Sequence, residues 1–193
     1  MPHIIFHDRE LVFKLVYFGP GMSGKTTNLV YIHRSLANVN RGEMISLKTA
    51  NERTLFFDFF PLEVGEIGGF KIRFNMYTVP GQVYYEASRR LILDGADGVV
   101  FVADSQPALW EENLQSYRGM QENLRSYGQN PDVFPTVIQY NKRDCEEPIA
   151  LGSIERELGL GELPCFEAVA TEGQGVMETI RTLSREIIHR FKF

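Results

Sequence analysis

Leu11-Val12-Phe13-Lys14-Leu15-Val16-Tyr17-Phe18-Gly19-Pro20-Gly21-Met22-Ser23-Gly24-Lys25-Thr26 is the stretch that decides the fold. Its first half is a short apolar run with β-branched and aromatic content, closed by glycine, and reads as a buried strand. Its second half fits G-x-x-x-x-G-K-[ST], and Lys25 to Leu36 reads as a helix. Between a strand and a helix, this pattern cradles phosphate. Glycines let the backbone curl so that successive N–H groups face phosphate oxygens, and the helix N-terminus adds positive charge. Lys25 supplies a point charge to the β- and γ-phosphates, and the Thr26 hydroxyl is a candidate Mg²⁺ ligand. Gly19, Gly21, Met22, Ser23, Gly24, Lys25, Thr26 and Thr27 are therefore the candidate phosphate-contacting residues.

Working outward, strands and helices alternate. Glu43–Thr49, Gly98–Ala103, Phe134–Tyr140 and Cys165–Val169 read as strands, and Leu62–Ile67 and Phe70–Thr78 flank a Gly68-Gly69 turn as a hairpin. Helical spacing runs through Leu109–Tyr127, through a short segment near Ile154–Leu158, and through Val176, Ile180, Leu183, Ile187 and Phe191. The pattern predicts one α/β P-loop domain over residues 1–193, a three-layer sandwich with a mostly parallel sheet and one antiparallel hairpin strand. In such a sheet, ligands bind at the carboxyl ends of the strands.

Bulk properties narrow the function. The chain has 193 residues, 44% hydrophobic and 23% charged, a globular balance. A net charge of −5 gives a nucleic-acid partner no support. Cys145 and Cys165 form no metal-ligand pattern and read as reduced thiols. No apolar stretch approaches the roughly 20 residues of a membrane span, and no signal peptide or lipidation box is present, so a cytoplasmic location is expected.

Asn141-Lys142-Arg143-Asp144 follows the strand ending at Tyr140. A carboxylate at Asp144 accepts from two N–H groups on the Watson–Crick edge of guanine. Adenine presents no such pair, so a buried Asp144 would be left unpaired against it, which selects strongly. The Asn141 amide braces the loop or the base, and the Lys142 stem lies over the ring. After the last strand, Ala170 and Thr171 are small enough to bring backbone N–H groups to the base. These residues favour GTP and GDP over ATP, and weigh against an ATPase or kinase.

Thr78-Val79-Pro80-Gly81-Gln82 closes the hairpin. Gly81 is placed to donate its N–H to a γ-phosphate, and Gln82 to orient an attacking water. The run resembles the second switch of Ras-like GTPases, D-x-x-G-Q, with Thr78 where an Asp is expected. With Tyr17–Gly21 and Arg53-Thr54-Leu55-Phe56-Phe57-Asp58, it resembles the MglA family, bacterial Ras-like GTPases of cell polarity and gliding motility. The resemblance implies that Thr54 closes onto Mg²⁺ and the γ-phosphate, and that Arg53 acts as an arginine finger in cis. It also implies a roadblock-type, MglB-like activating partner, slow unaided hydrolysis, and recruitment to cell poles through partners. From the residues alone Arg53 is equally a solvated loop arginine. Asp58 either replaces the missing switch carboxylate or caps a turn. The aromatic run Leu55 to Phe60 is either core or a partner surface. Thr78 also leaves open a nucleotide-binding scaffold with little or no hydrolysis.

Overall fold

β2 (Glu10–Phe18) is the central strand, with β5 (Phe70–Thr78) and β6 (Gly98–Asp104) parallel to it on either side. The computed structural model describes residues 3–36, 41–48, 54–81 and 86–191, with backbone alone at 47–48 and 54–56. The 8-stranded sheet runs β3 (Ile45–Lys48), β4 (Thr54–Ile67), β5, β2, β6, β7 (Thr136–Asn141), β8 (Cys165–Glu167). The short β1 (His3–Ile5) lies antiparallel on the start of β2. Parallel pairings run from β5 through β8, while β4 is antiparallel to β5, as the Gly68-Gly69 turn predicts.

The period-two geometry of β2 divides the core. Leu11, Phe13, Leu15 and Tyr17 face one layer, with Leu29 and Ile32 of α1 (Lys25–Ser35) and Ile180, Leu183 and Ile187 of α5 (Val176–Arg190). Val16 and Phe18 face the other, with Phe101 of β6 and Leu114, Tyr117, Met120 and Leu124 of α3 (Trp110–Ser126). Each such fully buried side chain stabilises the fold by about 1.5–3 kcal/mol. This is the expected α/β sandwich.

Several elements differ from the sequence expectation. β4 starts at Thr54, not Leu62, because register continues along β5 through Phe59↔Tyr77 and Phe60↔Met76. The whole Leu55-to-Phe60 run is therefore strand. α2 (Glu86–Leu93) and β1 carry no sequence signal: Leu93 is the one described α2 residue buried, and β1 is exposed or half-buried. β8 ends at Glu167, and Val169 bridges to Gln174 instead. α4 (Ser153–Glu157) begins one residue early, at Ser153. Among the described residues no helix is long and apolar enough to cross a membrane.

Candidate functional site

The phosphate loop, the second switch and the base loops open at the carboxyl ends of parallel strands: Gly19 after β2, Val79 after β5, Ser105 after β6, Lys142 after β7 and Ala168 after β8, whereas Thr54 to Asp58 of the first-switch run lie in the antiparallel β4. The geometry brings the phosphate loop and the base loop together through one side chain. Asn141, 2% exposed, donates from Nδ2 to the Ser23 carbonyl at 2.8 Å and accepts at Oδ1 from the Ala170 N–H at 2.9 Å. Gly24, at φ 101, lets this happen: a Cβ there would stand 2.1 Å from Asn141 Nδ2. Gly24 also caps α1, and Asn28 closes the first turn onto its carbonyl at 3.0 Å.

Lys25 is 6% exposed, and its ammonium donates to the carbonyls of Gly19 at 3.0 Å and Pro20 at 2.6 Å. Burial first, then the positive charge of Arg89, push the Lys25 amine down to about 7; Asp58 opposes this and Lys142 adds to it. A buried ammonium among neutral carbonyls and other cations is a site for an anion. Met22, in the same loop, holds a left-handed φ of 61 and is 74% exposed. Ser23 is buried, and Thr27 is half-exposed in the first turn of α1.

A carboxylate stands beside the candidate metal ligand. Asp58 of β4 is fully buried and accepts from the Thr26 hydroxyl at 2.5 Å, from the Thr78 hydroxyl at 2.8 Å and from the Ser46 hydroxyl. Its own N–H donates to Thr78 Oγ1 at 2.8 Å. Thr78 is thus the support of an acidic group from the neighbouring strand. Thr26 and Asp58 make a hard-oxygen pair suited to Mg²⁺, and the Asp58 bonds to Thr26 and Thr78 exclude a merely local turn cap. Among the described residues no cluster of three or more His, Cys, Asp or Glu offers another metal site.

The second switch packs on the phosphate loop: a Cβ on Gly81 would lie 2.5 Å from Gly21 Cα. A cleft of about 370 Å³ opens there between α2 and α3, lined by Pro20, Gly21, Gly81, Arg89 and Glu112. Arg89 lies 5.8 Å over the Phe18 ring, and its Nε is buried without an acceptor among the described residues. At the base end, Lys142 holds φ 63 and its ammonium pairs with Asp104. Ala170 is buried, while Thr171 and Asp144 are exposed. Asp144 is exposed, where the sequence predicts a buried carboxylate.

Thr54 is the first residue of β4, opposite Lys48. Arg53 and Gln82 lie outside the described residues. Sequence reading missed Asp104, Ser46 and Arg89. An acidic residue closing an all-apolar strand, as Asp104 closes Gly98–Ala103, was the available signal for the first.

The chain matches no protein-family model. It is 47% identical over 192 residues to the mutual gliding-motility protein MglA of Myxococcus xanthus (strain DK1622), spanning 100% of this chain and 98% of that protein. The Ypt/Rab-type GTPase ypt7 of Schizosaccharomyces pombe is 25% identical over 182 residues, 92% of this chain and 82% of its own. ADP-ribosylation factor-like protein 4A of Homo sapiens is 26% identical over 192 residues, 93% of this chain and 86% of its own.

Proposed function

Because the chain belongs to the MglA family of Ras-like small GTPases, we propose that it is a Mg²⁺-dependent switch in gliding motility or cell polarity, with residues 1–193 working as one cytoplasmic domain. The observation that carries the guanine-nucleotide reading is Asn141, which ties the phosphate loop at Ser23 to the base loop at Ala170. A phosphate group and a purine are thereby received at a fixed spacing. Asp144 accepts from guanine, and Lys142 covers one face of the ring. A scaffold without hydrolysis is not favoured, since relatives along the whole chain are small GTPases.

Thr26 and Asp58 would hold the Mg²⁺, and Thr54 would add a hydroxyl when the γ-phosphate is present. The ion, when bound, neutralises charge on the β- and γ-phosphate oxygens. Lys25 gives up its carbonyl partners for phosphate oxygens, a stronger charge-assisted bond. Gly81 leaves Gly21 to donate to the γ-phosphate. Gln82 orients a water for in-line attack, and Arg53 lends its charge to the departing phosphate. Loss of the γ-phosphate releases both switch segments.

A roadblock-type, MglB-like partner fits an open sheet face. The Phe57 and Phe59 rings lie 5.9 and 4.8 Å from the Tyr77 ring, all three half-buried, and Ile45, directly opposite Phe59, is 52% exposed. Docking there would grip the strand that carries Asp58 and the residues next to Arg53. Polar recruitment follows from such partners. Nucleotide extracted from the purified protein should be GDP or GTP, and Arg53→Ala and Gln82→Ala should keep binding while losing turnover. Unchanged phosphate release in either variant removes that residue from catalysis.

A further inference from the structure

Asp104 is the last residue of β6 and only 1% exposed. A buried carboxylate requires donors and a positive charge. Gln106 supplies the donors, its backbone N–H to Oδ1 at 3.1 Å and its Nε2 at 3.1 and 3.3 Å to the two oxygens. The charge is the Lys142 ammonium, in direct contact with Oδ2.

The main chain at Asp104 is fixed as well. The fully buried Asn113 of α3 accepts from the Asp104 N–H and donates to the Asp104 carbonyl, both at 2.9 Å. In the sheet, Asp104 is the register partner of Asn141, so Lys142 is the first residue beyond the pair. That residue holds a left-handed backbone, which disfavours a lysine, and Cys145 closes a turn onto its carbonyl at 3.1 Å. A strained backbone and an anchored ammonium leave the four-carbon stem between them little freedom. A free lysine would lose that rotamer freedom on binding; here it is lost on folding.

We propose that Asp104 is the positioning residue of the guanine site, holding Lys142 so that its stem is set before the base arrives. The inference rests on the guanine-nucleotide reading above. It separates the base contribution to affinity from the phosphate contribution, because Asp104 acts through a residue of the base loop and makes no bond to the Gly19–Thr26 loop.

The test is calorimetric titration with GDP and with pyrophosphate, in Mg²⁺, of the wild type, Asp104→Asn, Lys142→Gln and the double variant. Asp104→Asn should weaken GDP by about tenfold, the coupling expected of side chains in direct contact, and leave pyrophosphate affinity unchanged. The double variant should bind GDP no more weakly than Lys142→Gln alone. Equal losses for GDP and pyrophosphate would mean a general loosening and would overturn the proposal, as would additive losses or unchanged GDP affinity. Should Asp104→Asn not fold, Asp104→Ser removes the same charge and carries the same expectations. A wild type with no preference for GDP over ADP removes the guanine reading itself, and the proposal with it, before any variant is compared.

Discussion

The two ends of the site are built differently. On the base side, β6, β7 and β8 are parallel, and the side chains of Asn141, Asn113 and Asp104 each bond across elements to hold the loops in place. On the metal side, an antiparallel hairpin carries one buried carboxylate, Asp58, held by three hydroxyls from three elements. The amide-to-backbone bonds on the base side close between protein groups, with Asn141 and Asn113 each bonding two backbone partners. The Thr26-to-Asp58 bond on the metal side joins the two oxygens that would hold the ion, so that bond would be exchanged when it binds. On the proposed reading, the base end is therefore set in advance, and the metal end is where nucleotide state becomes conformation.

The contrast is broken most easily from the rigid side. Asn141→Ala strands the Ser23 carbonyl and the buried Ala170 N–H together. It should cost roughly 2–4 kcal/mol of stability, read as a drop in the denaturant midpoint. Equivalence with a surface substitution would mean that the brace is incidental. Thr78→Ala, on the metal side, removes one hydroxyl that both donates to and accepts from Asp58. It should cost about 1–2 kcal/mol by the same measurement, while GDP affinity without Mg²⁺ stays at the wild-type level.

Lys25 belongs to both ends, and its expected effect is the smallest. Burial and Arg89 bring its amine to about 7, and a phosphate at the ammonium raises it again. Nucleotide binding therefore takes up as much as one proton above pH 7, and the uptake falls toward zero as pH drops about one unit below 7. From pH 7 to 8 affinity should fall by less than about tenfold, with the uptake visible as a buffer-dependent binding enthalpy. For folding the sign is opposite in sense: the amine is depressed in the fold, so its contribution to stability improves as pH rises from about 7 toward the ordinary lysine value of 10.5.

Much of this was legible from residues alone. Gly19 to Thr26 and Asn141 to Asp144 announce themselves because tight turns and phosphate contact demand particular residues at particular spacings. β4 was under-read because its partner-facing aromatics look like a loop surface until β5 is laid beside them in register. α2 escaped because a helix on the rim, with one described residue buried, imposes little periodicity. The role of Asp58 stayed open for a related reason. Pairing of β4 with β5 closes its 20-residue separation from Thr78, and packing of α1 on the sheet closes its 32-residue separation from Thr26; no local pattern encodes either.

On the proposed reading, Asp58 of β4 supplies the metal carboxylate that Ras-like second switches carry at the position of Thr78. Mn²⁺ binding to the GDP-loaded protein, followed by electron paramagnetic resonance, tests it in the wild type, in Asp58→Asn and in Asp58→Asn/Thr78→Asp. Asp58→Asn should weaken the ion by about 10–100-fold, as for loss of an oriented carboxylate at a metal, and Thr78→Asp should recover part of that loss. Unchanged Mn²⁺ affinity in Asp58→Asn, with GDP still bound, would contradict it.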